Sequence, residues 1–172
     1  MSGYEIVFCD LDGTLINTLS GKDFPEGIWD MKFNFPFLMA LKHHLKPKVI
    51  GIVTNQGGIP RYVDKHNLEV KMEYICRCID EYCKPEYPTI FSYAELANPH
   101  LRKPETGMLT LILSSVNSLY YKITDKSKMV MVGDASGKEG NFSDNDKKCA
   151  ENFGIDYLDV SEFISNYTPI GD

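Results

Sequence analysis

The apolar positions along the chain fall into two kinds of run. Short continuous runs rich in β-branched residues occupy 5–9, 48–53, 88–93, 129–132 and 155–158, the pattern of buried strands. Between them the apolar residues space themselves at three and four. Phe37, Leu38, Leu41 and Leu45 predict a helix over 36–45 with proline at its start and Pro47 ending it. Leu68, Met72, Ile75, Ile79 and Tyr82 predict an amphipathic helix over 67–83, closed by Pro85. Pro104 is expected to open a helix whose apolar face is Met108, Leu111, Ile112, Ser115 and Leu119. Asp146, Cys149, Ala150 and Phe153 mark one face of another, and 161–167 a last turn or two. Residues 16–33, rich in Gly, Pro, Ser, Asn and Thr, read as a loop or short hairpin anchored by Phe24, Pro25 and Trp29. Strands alternating with helices predict an α/β fold with a Rossmann-like parallel sheet flanked by helices.

Length and composition fit that picture. The chain has 172 residues, 43% hydrophobic and 24% charged, enough for one domain spanning 1–172 with a real core. No apolar run approaches the roughly 20 residues of a membrane-spanning helix, and no signal peptide is visible. The expected location is intracellular, cytoplasmic or nuclear, with no membrane partner and no secretion. Five cysteines, at 9, 76, 78, 83 and 149, include no Cys-x-x-Cys pair, so they read as reduced thiols with no zinc. The formal net charge of −6 argues against tight non-specific nucleic-acid binding, but not against a protein that grips only a strand end.

The chemistry gathers at the ends of the predicted strands. The first runs into Asp10-Leu11-Asp12-Gly13-Thr14. An Asp-x-Asp-Gly can be a plain turn, but paired acids ending a buried strand call for something to offset their repulsion, and hard oxygens suit Mg²⁺. The second ends in Thr54-Asn55-Gln56-Gly57-Gly58, a hydroxyl, amides and backbone N–H groups suited to an anionic oxygen. Lys103 follows the third strand, and Asp134 the fourth. In a parallel sheet all four lie at one edge, where α/β proteins bind ligands. Acids holding Mg²⁺, a lysine and a hydroxyl holding phosphoryl oxygens, and one carboxylate free to attack phosphorus make a consistent set.

Asp10-Leu11-Asp12-Gly13-Thr14, Thr54-Asn55-Gln56, Lys103 and Gly133-Asp134 resemble, in order, the four motifs of the haloacid dehalogenase (HAD) superfamily of phosphohydrolases. The stretches 18–25, 102–108 and 133–137, with Asn141-Phe142-Ser143 and Asp146, more closely resemble the phosphatase domain of polynucleotide kinase 3′-phosphatases. The resemblance implies a HAD-like fold and Mg²⁺-dependent removal of 3′-phosphate from DNA or RNA ends, as in DNA strand-break repair. The short intervals after Asp12 and between Thr54 and Lys103 leave no room for a separate cap domain, which suits an open site for a strand end. It implies that Asp10 is the nucleophile, Asp12 the general acid and base, and that Thr54 and Lys103 bind the phosphoryl group. Asp10, the backbone carbonyl of Asp12, and Asp134 would hold Mg²⁺, with Asp146 behind them or linked to the metal. Asn55, Gln56, Arg61 and Arg102 would contact substrate, and Lys22, Arg61, Arg102 and Lys138 would form a basic rim. Asn141 stands where the family has aspartate, and Ile59-Pro60-Arg61-Tyr62 departs from its glycine-rich turn. No Gly-x-x-x-x-Gly-Lys-Ser/Thr loop is present, so no attached kinase domain is expected. The alternative is a small-molecule phosphatase of the same superfamily, of the histidinol phosphate or sugar bisphosphate type.

Overall fold

The computed structural model describes residues 3–167 apart from 24, 28 and 142, so the roles expected for Phe24 and Phe142 lie outside the described residues. Strand β1 (Ile6–Cys9) leads into a short antiparallel pair, β2 (Ile16–Asn17) with β3 (Lys32–Phe33). Then follow α1 (Phe35–Ala40), β4 (Val49–Asn55), α2 (Lys65–Cys83), β5 (Ile90–Ala94), α3 (Gly107–Leu119), β6 (Met129–Gly133), α4 (Asn145–Phe153), β7 (Asp156–Asp159) and α5 (Val160–Tyr167). The main sheet is parallel, in the order β5-β4-β1-β6-β7.

Both faces of this sheet are covered, which explains the unbroken apolar strands. In β1, Val7 and Cys9 face α1, α2 and α5, among them Leu41, Met72, Ile75 and Phe163. Ile6 and Phe8 face α3 and α4, among them Met108, Ile112, Ala150 and Phe153. The chain moves outward from β1 to β4 and β5, then crosses to build β6 and β7 on the other side. The order therefore reverses between β1 and β6, which opens a crevice at their C-terminal ends.

Three expectations need correction. The helix predicted over 36–45 is α-helical only to Ala40, and Leu41–Leu45 widen into a π-turn. Pro104 does not open α3, which begins at Gly107. Its buried residues are Met108, Leu109, Ile112 and Val116, while Leu111 and Leu119 are exposed. The run Met108-Leu109-Thr110-Leu111-Ile112-Leu113 is apolar nearly all round, so spacing alone could not select the face. Trp29 is 65% exposed and anchors nothing in the core. The excursion between β2 and β3 is held instead by Asp30, fully buried, which accepts hydrogen bonds from the Ser20 backbone and hydroxyl and from the Glu26 backbone.

Asp159 closes β7 and caps α5. Its Oδ1 accepts from the backbone N–H groups of Ser161 and Glu162 at 3.0 and 3.1 Å, and Oδ2 accepts from Ser136 Oγ at 2.5 Å. Burial would raise its pKa, but these donors and Lys138 outweigh it and hold it at about 2. A carboxylate lowered on folding stabilises above its unfolded value of roughly 4, and that contribution is lost as pH falls toward 2. Asp159→Ala is expected to cost about 1–2 kcal/mol at pH 7, the usual range for a lost N-cap. In urea titrations the gap from wild type should close as pH falls toward 2.

Candidate active site

The residues at the crevice are placed by tight turns at the strand ends. After β1 the backbone turns back on itself, with Leu15 N donating to Leu11 O and Gly13 N to Ile16 O. Gly13 sits at φ +80°, and a Cβ there would collide with Asp134 Oδ2. Gly133 ends β6, where a Cβ would collide with Asp146 Oδ2. Both glycines leave the space that the acids occupy. Gly13→Ala therefore combines left-handed strain, about 1–2 kcal/mol, with displacement of Asp134. It should still fold, but the Tm increase on adding Mg²⁺ should shrink or vanish.

Asp10, Asp134 and Asp146 each offer a carboxylate oxygen, and these atoms lie within 4.8 Å of one another. Lys103, 5% exposed, is driven between two of them: Nζ lies 2.8 Å from Asp10 Oδ1 and 2.6 Å from Asp146 Oδ1. Burial alone would pull the Lys103 pKa down, but Asp10 and Asp146 raise it above the ordinary lysine value, so the ammonium stays charged. Burial pushes Asp10 up to about 7, with Lys103 opposing and Asp134 adding to the rise. Asp134 and Asp146 are also raised, chiefly by burial. Three acids facing one ammonium leave negative charge in excess, and an all-oxygen donor set of this kind suits a hard divalent cation.

Asp12 is turned away from that cluster. Its Oδ2 accepts from Gln56 Nε2 at 3.3 Å, and its Oδ1 is buried without a protein partner. The Asp12 carboxylate is not part of the acid group formed by Asp10, Asp134 and Asp146. Burial raises the Asp12 pKa, partly offset by Lys71, the Gln56 hydrogen bond and Lys103. Gln56 Nε2 also donates to Thr54 Oγ1 at 2.9 Å, linking the hydroxyl to the acid. Asn55, expected to contact substrate, has both ends of its amide engaged by Lys103: Oδ1 accepts from Lys103 N at 2.9 Å and Nδ2 donates to Lys103 O at 3.2 Å. It fixes the lysine in place across 48 residues of chain.

The basic residues divide. Arg102 lies against Gly57, with Nη1 buried and unpartnered. Lys22 and Lys32 line a cleft of about 210 Å³ that opens beside Asp12 and Gly13. Lys22 is also paired with Glu26. Arg61 is exposed, its guanidinium 5.3 Å from the Tyr62 ring, and is not drawn into the acid cluster. Lys138 does not belong to the rim: it is spent on Asp159 at the end of β7 and Glu162 on α5.

Two site residues were underweighted by sequence reasoning. Asp146 belongs to the acid cluster, and its Oδ2 accepts from Ala135 N at 3.0 Å. Lys71 on α2 is half-buried and its charge acts on Asp12. The signal for both was an ionisable residue on the apolar side of an amphipathic helix, which is rare without a partner.

Acids at the C-terminal ends of β1 and β6, a hydroxyl at the end of β4 and a buried lysine after β5 thus meet at one edge of the sheet, the arrangement that the resemblance to the haloacid dehalogenase superfamily leads one to expect. The family model described as polynucleotide kinase 3 phosphatase matches residues 5–164. The chain belongs to the polynucleotide kinase 3 phosphatase family. It is 33% identical over 167 residues to a bifunctional polynucleotide phosphatase/kinase of Schizosaccharomyces pombe, covering 95% of this chain and 38% of that protein. It thus spans well under half of that relative's length. It is 26% identical to the polynucleotide 3′-phosphatase of Saccharomyces cerevisiae, covering 90% of this chain and 85% of that one. The fold also matches a D,D-heptose 1,7-bisphosphate phosphatase from B. bronchiseptica, solved with magnesium and phosphate. The TM-score there is 0.64 at 18% identity, over 89% of this chain and 78% of that one. Among the described residues no helix is long and apolar enough to cross a membrane.

Proposed function

We propose that this chain is a Mg²⁺-dependent phosphatase that removes the 3′-phosphate from a DNA or RNA end, acting inside the cell. The observation that carries the reading is Lys103, buried between Asp10 and Asp146 and pinned by Asn55, opposite an Asp12 whose burial favours its protonated form. Mg²⁺ would be held by Asp10, Asp134 and the Asp12 carbonyl, and would supply charge neutralisation for the phosphate. Asp10 attacks phosphorus, the bond to the ribose 3′-oxygen breaks, and Asp12 gives that oxygen its proton. Asp12, now a carboxylate, takes a proton from water, which attacks the aspartyl-phosphate and releases phosphate. Lys103 and Thr54 hold the non-bridging oxygens. The unpartnered Arg102 Nη1 is suited to a phosphodiester one nucleotide away, and Gln56 keeps Thr54 and Asp12 in register.

Two features support a strand end over a small ester. Among the described residues the excursion after Asp12 is a short loop closed on Asp30, and the interval from Thr54 to Lys103 holds α2 and β5, so no described segment of either encloses a metabolite. The test is phosphate release, with Mg²⁺, from an oligonucleotide bearing a 3′-phosphate, compared with histidinol phosphate and a heptose bisphosphate. The oligonucleotide is expected to be the efficient substrate. Release only from the small esters would keep the chemistry and overturn the substrate.

A further inference from the structure

We propose that the opposite end of the sheet carries a second anion site, which takes the phosphate of a nucleotide. A hollow of about 400 Å³ lies at the N-terminal end of β4, floored by Leu41, Pro47, Ile50 and Pro85. Its rim carries Lys42, Lys46, Lys48 and Lys84. The span of β4 puts it roughly 20 Å from Thr54, at about 3.3 Å per strand residue, so it is separate from the cleft beside Asp12.

The backbone singles out two of these lysines. Among the described residues, the non-glycine positions with positive φ are Lys46 (47°) and Lys84 (50°). Each is the left-handed cap of a helical segment, Lys46 after the π-turn and Lys84 after α2. Each is followed by a proline that lines the same hollow. Glycine is the usual residue at such a cap because a Cβ is strained there. Two lysines held at that cost on one rim suggest that their side chains are needed. A lysine at a helix C-terminus also complements the helix dipole, but that attraction does not require the left-handed position and does not account for the hollow.

The charges facing the hollow favour an anion. Lys48 is paired with Glu5 at 2.9 Å, and the Lys42 ammonium lies 4.6 Å from the centre of the Tyr82 ring. Glu86 is the acid on the rim. Among the described residues Lys46 and Lys84 have no ion-pair partner. Burial pushes the thiol of Cys83, in the wall, up to about 11, so it adds no negative charge to the hollow at neutral pH. An apolar floor under a cationic rim suits a phosphate carried on a planar apolar body, and the volume is in the range of small-ligand pockets, roughly 300–1,000 Å³. That ligand is a nucleotide, free or as one unit of a strand; the strand case rests on the function proposed above, whereas the hollow does not.

The test is amide shift mapping of the wild-type chain without Mg²⁺, using ADP, an oligothymidylate ending in a 3′-hydroxyl, and inorganic phosphate. The double variant Lys46→Gly/Lys84→Gly removes both charges and relieves the backbone, so its Tm should be unchanged or higher. Shifts at 46–50 and 83–86 with ADP, weakened at least tenfold in the variant, are expected, with unchanged turnover of p-nitrophenyl phosphate. Matching shifts with the oligonucleotide would identify a strand unit, and their absence a free nucleotide. No shifts at those residues with either ligand, equal affinity in the variant, or inorganic phosphate binding as tightly as ADP would overturn the proposal. Shifts at 54–56 and phosphate release report on the active site separately, so failure of one reading is distinguishable from failure of the other.

Discussion

Asp10→Asn is expected to abolish phosphate release, by roughly a thousandfold or more, and to leave the fold intact. Asparagine keeps the shape, and its amide oxygen can still accept from Lys103, but it cannot attack phosphorus as a carboxylate does. Removing one of three clustered acids also relieves repulsion, so Tm in the absence of metal should hold or rise. Phosphate release and thermal unfolding on the same preparation check both halves; activity within tenfold of wild type would remove Asp10 from the nucleophile's role. The raised pKa of Asp10 has a pH consequence. An acid raised on folding stabilises at low pH, and that contribution fades between about 4, its unfolded value, and about 7, its folded value. On the proposed function, Mg²⁺ binding at Asp10 would have to displace the proton it keeps. The Tm increase produced by Mg²⁺ should therefore grow from pH 6 to pH 8 and shrink in Asp10→Asn.

Lys103→Ala is expected to cost both activity and stability. The side chain is buried and holds Asp10 at 2.8 Å and Asp146 at 2.6 Å. Its removal leaves two buried carboxylates facing each other, and breaking a buried pair in this way costs about 3–5 kcal/mol. The acids escape by taking up protons, so the deficit should narrow as pH falls from 8 to 5. Mg²⁺ should recover part of it at pH 8, because a cation again stands among the acids. Phosphate release should fall by roughly 10²–10³-fold, the range for losing one preorganised charge at a developing oxyanion. Lys103→Arg should rescue neither property, since a planar guanidinium does not fit the space of a compact ammonium. Urea unfolding at pH 5 and pH 8, with and without Mg²⁺, separates the charge effect from simple loss of packing, which neither pH nor metal would move.

Much of this was legible along the chain because it is local. Continuous apolar runs marked the strands of a sheet buried on both faces, and the step of three and four in Leu68, Met72, Ile75 and Ile79 marked α2. A parallel sheet then puts every strand's C-terminal end at one edge, so Asp10, Asp12, Thr54, Lys103 and Asp134 could be grouped by connectivity alone. The sequence by itself thus determined the α/β class, the sheet edge where these polar residues gather, and the residue types found there.

The tertiary structure decided what depends on contacts between distant segments. The face of α3 followed from packing on β4 and β5, since its own sequence is apolar nearly all round. The π-turn at Leu41–Leu45 has no local signature. Asp146 joined the cluster because α4 folds back over β6 and its carboxylate reaches Lys103, 43 residues earlier. Lys138 pairs with acids because the end of β7 and the start of α5 bring Asp159 and Glu162 to it, and both ends of the Asn55 amide are taken by the Lys103 backbone. Lys46 and Lys84 share one hollow only because two helices end side by side. Periodicity reports which face of an element is buried; which charges meet is a matter of pairwise distance, and only the folded chain sets that.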